Sequence, residues 1–311
     1  MSGGRNRAAG RVTIAVVTWN HRAEIGDCLA AAGGQTWADV ELRVVDNGST
    51  DGTAELVASG FPGASLRRES ENGGLSRALN RALAGATGEF FLTLNPDVVL
   101  SADFLDRALR AFAGRPEVWC VAPRLVRPDG ALDAAGVEPT PDGRFRNRGE
   151  GSRDPLAFDR PGEVFGACGA AALYRSEALE SLAGPDGEVF DEDFFVYRED
   201  LDVAWRAARR GFRTWYEPAA IATHRRRWPG GGRSAVPRWI RRHSFKNRYL
   251  MLAKNADLGF LARSFGPLVR HEAAALAWTL VREPHLLLAY GQAALRLPGA
   301  LRKRRQARRA S

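Results

Sequence analysis

Apolar residues in the first 115 positions alternate between two spacings. Strand-like runs of β-branched and aromatic residues occur at 12–19 (VTIAVVTW), 40–46 (VELRVVD) and 89–95 (EFFLTLN). Between them, EIGDCLAAAG, TAELVAS and LSRALNRALAGA carry apolar residues at helical spacing. Strands separated by helices predict βαβ units and a mostly parallel central sheet with right-handed crossovers, which together make an α/β fold.

The pattern changes after residue 115. The run WCVAPRLVRPDGALDAAG predicts a strand and then a hairpin that turns at Pro128-Asp129-Gly130, which suits an antiparallel or mixed edge of the sheet. Residues 138 to 163 are rich in Pro, Gly and charge and show no periodicity, so we expect a mobile loop over the ligand site. Farther on, REDLDVAWRAARRGFRTWYEP predicts an amphipathic helix that Gly211 ends, followed by a strand.

Length and spacing favour one main domain with an appendage. The chain has 311 residues, and the α/β pattern runs from 11 to 255. Residues 256–311 carry two further helical patterns and end in the basic run RKRRQARR. No window reaches the ~20 uninterrupted apolar residues that a spanning helix requires. The tail is therefore an in-plane amphipathic anchor, a helical appendage packed on the main domain, or a disordered solubilising end.

Charge and cysteine content bear on partners and compartment. The formal net charge of +9 predicts an anionic partner, which is nucleic acid, a phosphorylated small molecule or an acidic membrane face. Cys28, Cys120 and Cys168 are far apart and lack metal-type spacing, which indicates buried reduced thiols and a reducing compartment. The N-terminus is polar and basic without the apolar core of a secretory signal, so we expect a cytoplasmic protein.

Polar residues follow the predicted strands at the points where those strands end. Ligands of open α/β sheets bind beyond the carboxyl ends of the strands, so we expect these residues to converge on one crevice. Two other interpretations stay open: DNGSTDG is also a sequence typical of a plain turn, and Asp97 could cap a helix. For that helix, however, Ser101 is the better cap. The strand-end residues are Thr18, Trp19 and Asn20, then Asp46, Asn47, Gly48 and Ser49, then Asn95, Pro96 and Asp97.

Three other features have both a structural and a functional interpretation. ENGGLSRALNRAL is similar to a glycine loop before a helix, although the P-loop lysine and the GxGxxG spacing are absent, so we expect a turn that shapes a substrate site. His224 follows a predicted strand and is either a structural histidine or part of the same crevice. Glu199, Asp200 and Asp202 either stabilise the first turn of a helix or act in the reaction.

Five of these segments resemble glycosyltransferase family 2, the inverting enzymes with a GT-A fold. VVTWNHRAEIGDCLAAAGGQT, VVDNGSTDGT, NGGLSRALNRAL, LTLNPDVVL and FDEDFFVYREDLDVAWRAARRGFRTWYEP occur in the family's order and approximate spacing, and the resemblance covers most of residues 11 to 255. The NPD form, FDEDFFVYREDLD and KNRYLMLAKN look most like the rhamnosyltransferase branch, which builds cell-envelope polysaccharide. The implied fold is a Rossmann-like, mostly parallel sheet with helices on both faces, a donor-binding half at about 11–115, an acceptor half at about 116–255 and a C-terminal helical appendage.

The resemblance implies a nucleotide-sugar site that uses Mg²⁺ or Mn²⁺. Asp97 resembles the carboxylate of the DxD metal motif, whose first acid is here the neutral Asn95, and His224 resembles the histidine that completes the metal site. Asp46 resembles the residue that accepts the N3–H of uracil or thymine. The remaining residues implied to bind the nucleotide sugar are Thr18, Asn20, Asn47, Asp51, Asn72, Gly73 and Gly74.

The resemblance also implies where the reaction occurs. Asp200 would deprotonate the acceptor hydroxyl, with Glu199 orienting it and Asp202 as an alternate. Trp205 and Trp215 would stack on sugars or simply pack in the core. Arg225, Arg233 and Lys246 would hold phosphates of donor or acceptor, or form a solvated basic face.

The implied function is transfer from a dTDP-rhamnose or UDP-sugar donor to a saccharide acceptor. If the tail anchors the protein to an anionic membrane surface, a polyprenyl-diphosphate-linked saccharide is the natural acceptor. A nucleotidyltransferase is the first rival, but TWNHRAEIGD lacks its glycine-rich triphosphate loop. A nucleic-acid-binding protein is the second rival, but it would not need the strand-end residues, so we expect no nucleic acid partner.

Overall fold

The computed structural model describes residues 7–154, 156–184, 186–226 and 232–309. Its first half alternates strands and helices as the apolar spacing predicts. Four strands, β1 (Ala8–Thr18), β2 (Val40–Asp46), β3 (Ser65–Arg68) and β4 (Gly88–Leu94), are joined by the helices α1 (Ile25–Gly33), α2 (Thr53–Gly60) and α3 (Leu75–Ala84). The strands are parallel and lie in the order β4-β1-β2-β3. The carboxyl ends of β1, β2 and β4 therefore share one edge of the sheet.

The next segment contains the predicted hairpin. Strand β5 (Val98–Leu100) and helix α4 (Phe104–Arg110) precede β6 (Val118–Val126) and β7 (Leu132–Ala134), which pair antiparallel around the turn at Pro128-Asp129-Gly130. The prediction that Ser101 caps α4 is wrong. Asp103 precedes the helix without a side-chain capping bond, and the Ser101 hydroxyl donates to Asp103 Oδ1 at 3.2 Å. The helix begins only at Phe104, after a turn at Ala102 and Asp103, so Ser101 lies two residues before the N-cap position.

Strands from the second half complete the sheet. After the short pair β8 (Val137–Pro139) and β9 (Phe145–Asn147) come β10 (Gly162–Val164), β11 (Ala171–Arg175), α5 (Ser176–Ser181), α6 (Glu199–Arg209) and β12 (Arg213–His224). The expectation of a loop without secondary structure over 138–163 is wrong in part, because β8 and β9 form a hairpin there. Gly211 has φ +81° directly after the last turn of α6, so the predicted glycine stop is confirmed.

Ten of the twelve described strands form one sheet with β1 and β4 in its interior, and β8 and β9 pair only with each other. The main order of the ten-stranded sheet is β10-β12-β6-β11-β4-β1-β2-β3, with β5 on β12 and β7 on β6. Apolar side chains on the two faces of β1 enter two separate core clusters, one with Val12, Ile14 and Val16 and one with Ala15 and Val17. A strand covered on both faces needs a continuous apolar run, which explains VTIAVVTW.

Four helices follow the sheet: α7 (Gly232–Ala235), α8 (Arg238–Asn255), α9 (Leu258–Arg282) and α10 (Leu287–Arg309). Asp257 caps α9 by accepting the Phe260 N–H at 2.7 Å. Helix α10 packs against α8, and its Lys303 forms ion pairs with Asp191, Glu188 and Asp193. None of the helices within the described ranges is long and apolar enough to cross a membrane.

Candidate active site

Two unused polar atoms lie where β1 and β2 end. The Asn47 N–H donates to the Thr18 carbonyl at 2.8 Å, which joins the two strand ends. Asp46 Oδ2 accepts the Ser49 N–H at 3.1 Å, whereas Asp46 Oδ1 and Thr18 Oγ1 are buried without a hydrogen-bond partner among the described residues. Buried polar groups almost always have a partner. These two atoms are therefore available to a ligand.

Asn20 and Asp51 instead shape the turns around this pocket. Asn20 has φ 57°, its N–H donates to Ser49 Oγ at 2.9 Å, and its Oδ1 accepts the Thr50 N–H at 2.8 Å. Asp51 Oδ1 accepts the Thr53 N–H at 3.0 Å at the start of α2. The turn interpretation of DNGSTDG thus holds for Asp51, while Asp46 keeps a free oxygen.

The glycine loop before α3 is tied to the second half of the chain. Asn72 Oδ1 accepts from Asn47 Nδ2 at 2.9 Å and from the Gly74 N–H at 3.0 Å, and Asn47 Oδ1 accepts the Gly73 N–H at 3.0 Å. The first two N–H groups of α3 donate to the carbonyl of Phe195. Gly74 has φ +91°, and a Cβ there would lie 2.7 Å from the Phe195 carbonyl oxygen. This loop therefore holds the segment before α6 and has its N–H groups occupied.

Asp97 and His224 meet at the adjoining strand ends. His224 Nε2 lies 3.4 Å from Asp97 Oδ1, and both residues are 8% exposed. Burial would lower the pKa of His224, but hydrogen bonds and charges from Asp133 and Asp97 outweigh it and raise the pKa to about 9. Burial would likewise raise the pKa of Asp97, but the His224 contact outweighs it and lowers that pKa.

The donor atoms of this pair suit a divalent cation. Two ligands in adjacent octahedral positions at about 2.1 Å from an ion are about 3 Å apart, close to the separation of Nε2 and Oδ1. Over the ranges that the structure describes, no group of three or more acids, histidines or cysteines could hold a metal. A cation here would thus have two protein side chains and take its other ligands from substrate and water. Asn95 is half-buried beside Asp97, and its N–H donates to the Ala170 carbonyl at 2.8 Å.

A strained segment places the acids at the start of α6. Phe195, Tyr197 and Arg198 all have φ between 68° and 75°, a conformation that costs energy for residues other than glycine. Asn247 of α8 is 0% exposed, and its amide donates to the carbonyls of Phe194, Val196 and Tyr197 at 2.8–2.9 Å. Helix α8 thereby holds the backbone that presents Glu199 and Asp200.

Glu199 and Asp200 have different surroundings. Asp200 is half-buried, and its two oxygens accept the Gly169 and Leu201 N–H groups, each at 2.8 Å. Glu199 is 5% exposed and its Oε2 has no partner in the described part of the chain. Burial, and next the charge of Asp200, raise the pKa of Glu199 to about 8. Burial also raises the pKa of Asp200. Asp200 is thus a partly accessible carboxylate fixed by two backbone N–H groups, whereas Glu199 is buried.

The acid pair and the Asp97–His224 pair lie beside the same crevice. Asn95 bonds to Ala170, the neighbour of the Gly169 that holds Asp200. Tyr197 is 42% exposed, and the charges of both Glu199 and Asp97 act on its phenol. The polar ends of three strands and the start of α6 therefore lie near one another.

Other predicted site residues lie elsewhere. Asp202 is 0% exposed and accepts hydrogen bonds from Lys254, Arg206 and Asn255, so it does not face the crevice. Trp205 packs edge-on against Phe145 and Phe260, which is the core interpretation.

The predicted basic residues are also dispersed. Lys246 is 1% exposed and donates to the Asp193 carbonyl at 2.6 Å. Arg225 pairs with Asp27 of α1 at 2.5 Å, while its N–H donates to the Asp97 carbonyl at 2.9 Å, so it lies at the edge of the crevice. The half-buried Trp215 carries the Arg115 guanidinium 4.3 Å from its ring centre. The side chain of Arg233 lies outside the described residues.

Sequence reasoning missed Asp133, Gly169 and Asn247 as individual residues. The small-residue run FGACGAAA indicates close approach at Gly169, where a Cβ would lie 3.2 Å from Asp200 Oδ2. Asn247 lies within KNRYLMLAKN, which carries the resemblance to rhamnosyltransferases. Asp133 follows a hairpin turn and carries no local signal.

Comparisons with known proteins identify the family of the chain. The sequence profile of glycosyl transferase family 2 matches residues 13–183. N-acetylglucosaminyl-diphospho-decaprenol L-rhamnosyltransferase of Mycobacterium tuberculosis is 26% identical over 271 residues, which span 77% of this chain and 83% of that protein. This relative supports the resemblance to the rhamnosyltransferase branch.

Solved structures confirm the fold. The mannosyltransferase PcManGT of Pyrobaculum calidifontis, in complex with GDP-Man and Mn²⁺, matches with a TM-score of 0.58 at 23% identity, over 96% of this chain and 85% of that one. TarS of Staphylococcus aureus matches with a TM-score of 0.60 at 16% identity, over 94% of this chain and 49% of that one. The GT-A fold with a C-terminal helical region that the sequence predicts is therefore confirmed.

Proposed function

Because the chain belongs to glycosyl transferase family 2 and is a glycosyltransferase, we propose that it moves a sugar, with inversion, from a nucleoside-diphosphate donor to a saccharide hydroxyl. The donor is dTDP-rhamnose or a UDP-sugar, and the acceptor is a saccharide carried on a polyprenyl diphosphate. The observation that carries the proposal is that three features adjoin in the crevice. They are the buried Asp46 oxygen without a partner among the described residues, the Asp97–His224 pair that could bind a cation, and the Asp200 carboxylate fixed by backbone N–H groups.

The base pocket selects the nucleotide in this proposal. Asp46 Oδ1 is buried without a partner among the described residues, so it can accept the N3–H of a uracil or thymine ring. Thr18 Oγ1 supplies a second unused polar atom beside it. Uracil or thymine satisfies the Asp46 oxygen, whereas a base without an N–H at that edge leaves it unpaired, which costs about 1–3 kcal/mol.

Asp97 and His224 would hold Mg²⁺ or Mn²⁺ against the donor. A bound divalent cation neutralises the charge that the diphosphate gains as the sugar leaves. The protein side of this arrangement is preorganised, because Asp97 and His224 are already in contact and nearly buried.

Asp200 would remove the proton from the acceptor hydroxyl. Inversion needs one displacement and one base, and Asp200 is the acid that remains partly accessible while two backbone N–H groups fix its orientation. Glu199, buried and with a raised pKa, would stay protonated near neutral pH and orient Asp200 or the acceptor without adding a second negative charge.

A transfer assay tests these assignments. Nucleoside-diphosphate release from dTDP-rhamnose and UDP-sugars is measured with a polyprenyl-diphosphate-linked saccharide as acceptor. We expect Asp200→Asn to lower turnover by about 10²–10⁴-fold and leave donor binding intact. Asp97→Ala should weaken donor and metal binding together. An active Asp200→Asn enzyme would remove the base assignment, and loss of turnover in Glu199→Gln alone would transfer it to Glu199.

A membrane surface is the partner that the C-terminal helices fit. Exposed apolar residues of α9 lie three, four or seven positions apart along one side and define the α9 apolar face: Leu258, Leu261, Phe265, Val269, Leu276 and Leu280. Residues 256–311 contain ten Lys or Arg residues and three acids. The three acids are engaged internally: Asp257 caps α9, Glu272 pairs with Arg248 and Glu283 pairs with Arg241. An apolar face in a segment with net positive charge suits the surface of an anionic bilayer.

The basic run at the end of the chain has a partly different role from the one predicted. Lys303 is bound by three acids of the main domain, and Arg304 donates to the Ala253 carbonyl. Removal of residues 285–311 would therefore disturb packing as well as membrane binding. A sharper test is vesicle flotation of Phe265→Asp, with Leu156→Asp as a control because Leu156 is equally exposed, at 71% against 70%, and lies outside α9. Equal flotation of both variants with anionic vesicles would refute the role of the α9 apolar face.

A further inference from the structure

The imidazole of His224 has a carboxylate at each ring nitrogen. Nε2 lies 3.4 Å from Asp97 Oδ1, and Nδ1 lies 2.8 Å from Asp133 Oδ2. Asp97 is 8% exposed, whereas Asp133 is 0% exposed. Asp97 can therefore meet a ligand in the crevice, while Asp133 reaches that ligand only through His224.

Asp133 is itself held in place. It lies in β7, which pairs with β6, and β6 in turn pairs with the strand β12 that carries His224. Its Oδ1 accepts a hydrogen bond from Arg127 Nε at 3.0 Å and forms an ion pair with Arg226 Nε at 2.6 Å. Two guanidinium groups on one oxygen fix the rotation of the carboxylate and leave Oδ2 for the imidazole.

We propose that Asp133 is a positioning residue for the cation site of this transferase. By accepting the Nδ1–H of His224, it fixes the ring orientation and leaves Nε2, the nitrogen beside Asp97, as the one that gives up its proton when a cation binds. The inference rests on the proposed function, since it takes Asp97 and His224 as the cation ligands. Carboxylates that orient a ligating histidine typically contribute 10–100-fold to metal affinity.

Direct measurement of Mn²⁺ affinity tests the inference without measuring sugar transfer. Binding to the full chain is followed by the loss of the electron paramagnetic resonance signal of free Mn²⁺. We expect Asp133→Asn to weaken binding by about 10–100-fold, since the amide loses the charge and can donate to Nδ1, which would place the proton on Nε2. The matched controls are Arg127→Gln and Arg226→Gln, each of which removes one guanidinium but leaves the contact between carboxylate and imidazole.

The outcomes separate this inference from the proposed function. Wild-type affinity in Asp133→Asn would overturn the inference, and so would an equal loss in the two arginine variants, because Asp133 would then serve as their counter-ion. Asp97→Asn shows whether a failure concerns only the role of Asp133 or the cation site itself. If it weakens Mn²⁺ binding and Asp133→Asn does not, only the role of Asp133 fails. If neither substitution weakens binding, the cation site of the proposed function fails and the inference fails with it.

A measurement on the unaltered protein covers the case in which Asp133→Asn does not fold. The protein is labelled with ¹⁵N-histidine and saturated with Zn²⁺, a diamagnetic ion that binds imidazole. The nitrogen spectrum should show His224 with Nδ1 protonated and Nε2 without a proton. The opposite tautomer would overturn the inference, since the nitrogen facing Asp133 would then be the one without a proton.

Discussion

Substitution of Asp202 by Asn should destabilise the fold rather than stop the reaction. Asp202 was a candidate acceptor residue by sequence, but it is 0% exposed and pairs with Arg206 at 2.9 Å and with Lys254 at 2.8 Å. Removing one partner of a buried ion pair costs about 3–5 kcal/mol. The lower end applies here because Lys254 keeps Asp191, and Arg206 keeps the carbonyls of Leu182 and Val189.

The expected loss is large enough to measure by thermal unfolding. About 3 kcal/mol corresponds to a fall in melting temperature of about 5 °C for a chain of this size. Asp103→Asn is a matched control, since Asp103 and Arg107 form the same i,i+4 pair at 2.8 Å but are 47% and 44% exposed. The exposed pair should leave the melting temperature nearly unchanged.

The pH dependence supplies a second signature of the same role. Burial would raise the pKa of Asp202, but the charges of Lys254 and Arg206 outweigh it and lower the pKa. A carboxyl with a depressed folded pKa stabilises the protein above its unfolded pKa of about 3.9 and loses that contribution as the pH falls. The difference between wild type and Asp202→Asn should therefore shrink below about pH 4. A variant with wild-type stability and no turnover would refute the structural role.

Two other predictions concern the acid pair and the glycine loop. Burial and the Asp200 charge raise the pKa of Glu199 to about 8, so ionisation of this group in the unfolded chain lowers native stability progressively from pH 4.5 upward. Glu199→Gln should therefore be more stable than wild type at pH 8 by chemical denaturation, and this gain should vanish near pH 4.5. Equal stability of the two proteins at pH 8 would contradict the raised pKa. Gly74 has φ +91°, and a Cβ there would lie 2.7 Å from the Phe195 carbonyl oxygen. Gly114 also has a positive φ, +68°, but a Cβ there would meet open space, so Gly74→Ala should lower the melting temperature much more than Gly114→Ala does. Equal effects would show that backbone strain alone acts.

The sequence predicted those parts of the fold that depend on local patterns. Strand β2 was predicted at its observed bounds, and β1, β4 and the helices α1 to α3 were predicted in order, because each carries its own periodicity. Strand β3 has four mostly exposed residues and was not predicted. Strand β5 has only three residues, and it forms because it pairs with β12, far away in the chain. The β8–β9 hairpin was also not predicted, because each strand has only three residues of mixed polarity.

The site was predictable where residues follow strands and unpredictable where they act across the chain. Asp46 and Asp97 end buried parallel strands, and that position alone predicts their convergence. Asp202 lies two residues from Asp200, so the two side chains point to different sides of helix α6. Asp202 therefore lies in a buried ion cluster instead of the crevice. Asp133 and Asn247 act through partners distant in sequence, which no local pattern reveals.

The most direct test of the proposed sugar transfer is whether the protein binds a nucleotide-sugar donor with the help of a divalent cation. The purified protein is titrated calorimetrically with UDP-, dTDP- and GDP-sugars in the presence of Mn²⁺ or Mg²⁺, and then with EDTA in place of the metal. We expect one pyrimidine nucleotide sugar to bind, EDTA to weaken this binding, and Asp97→Ala to weaken it similarly. Binding of no donor under any of these conditions, or binding that is indifferent to both EDTA and Asp97→Ala, would contradict it.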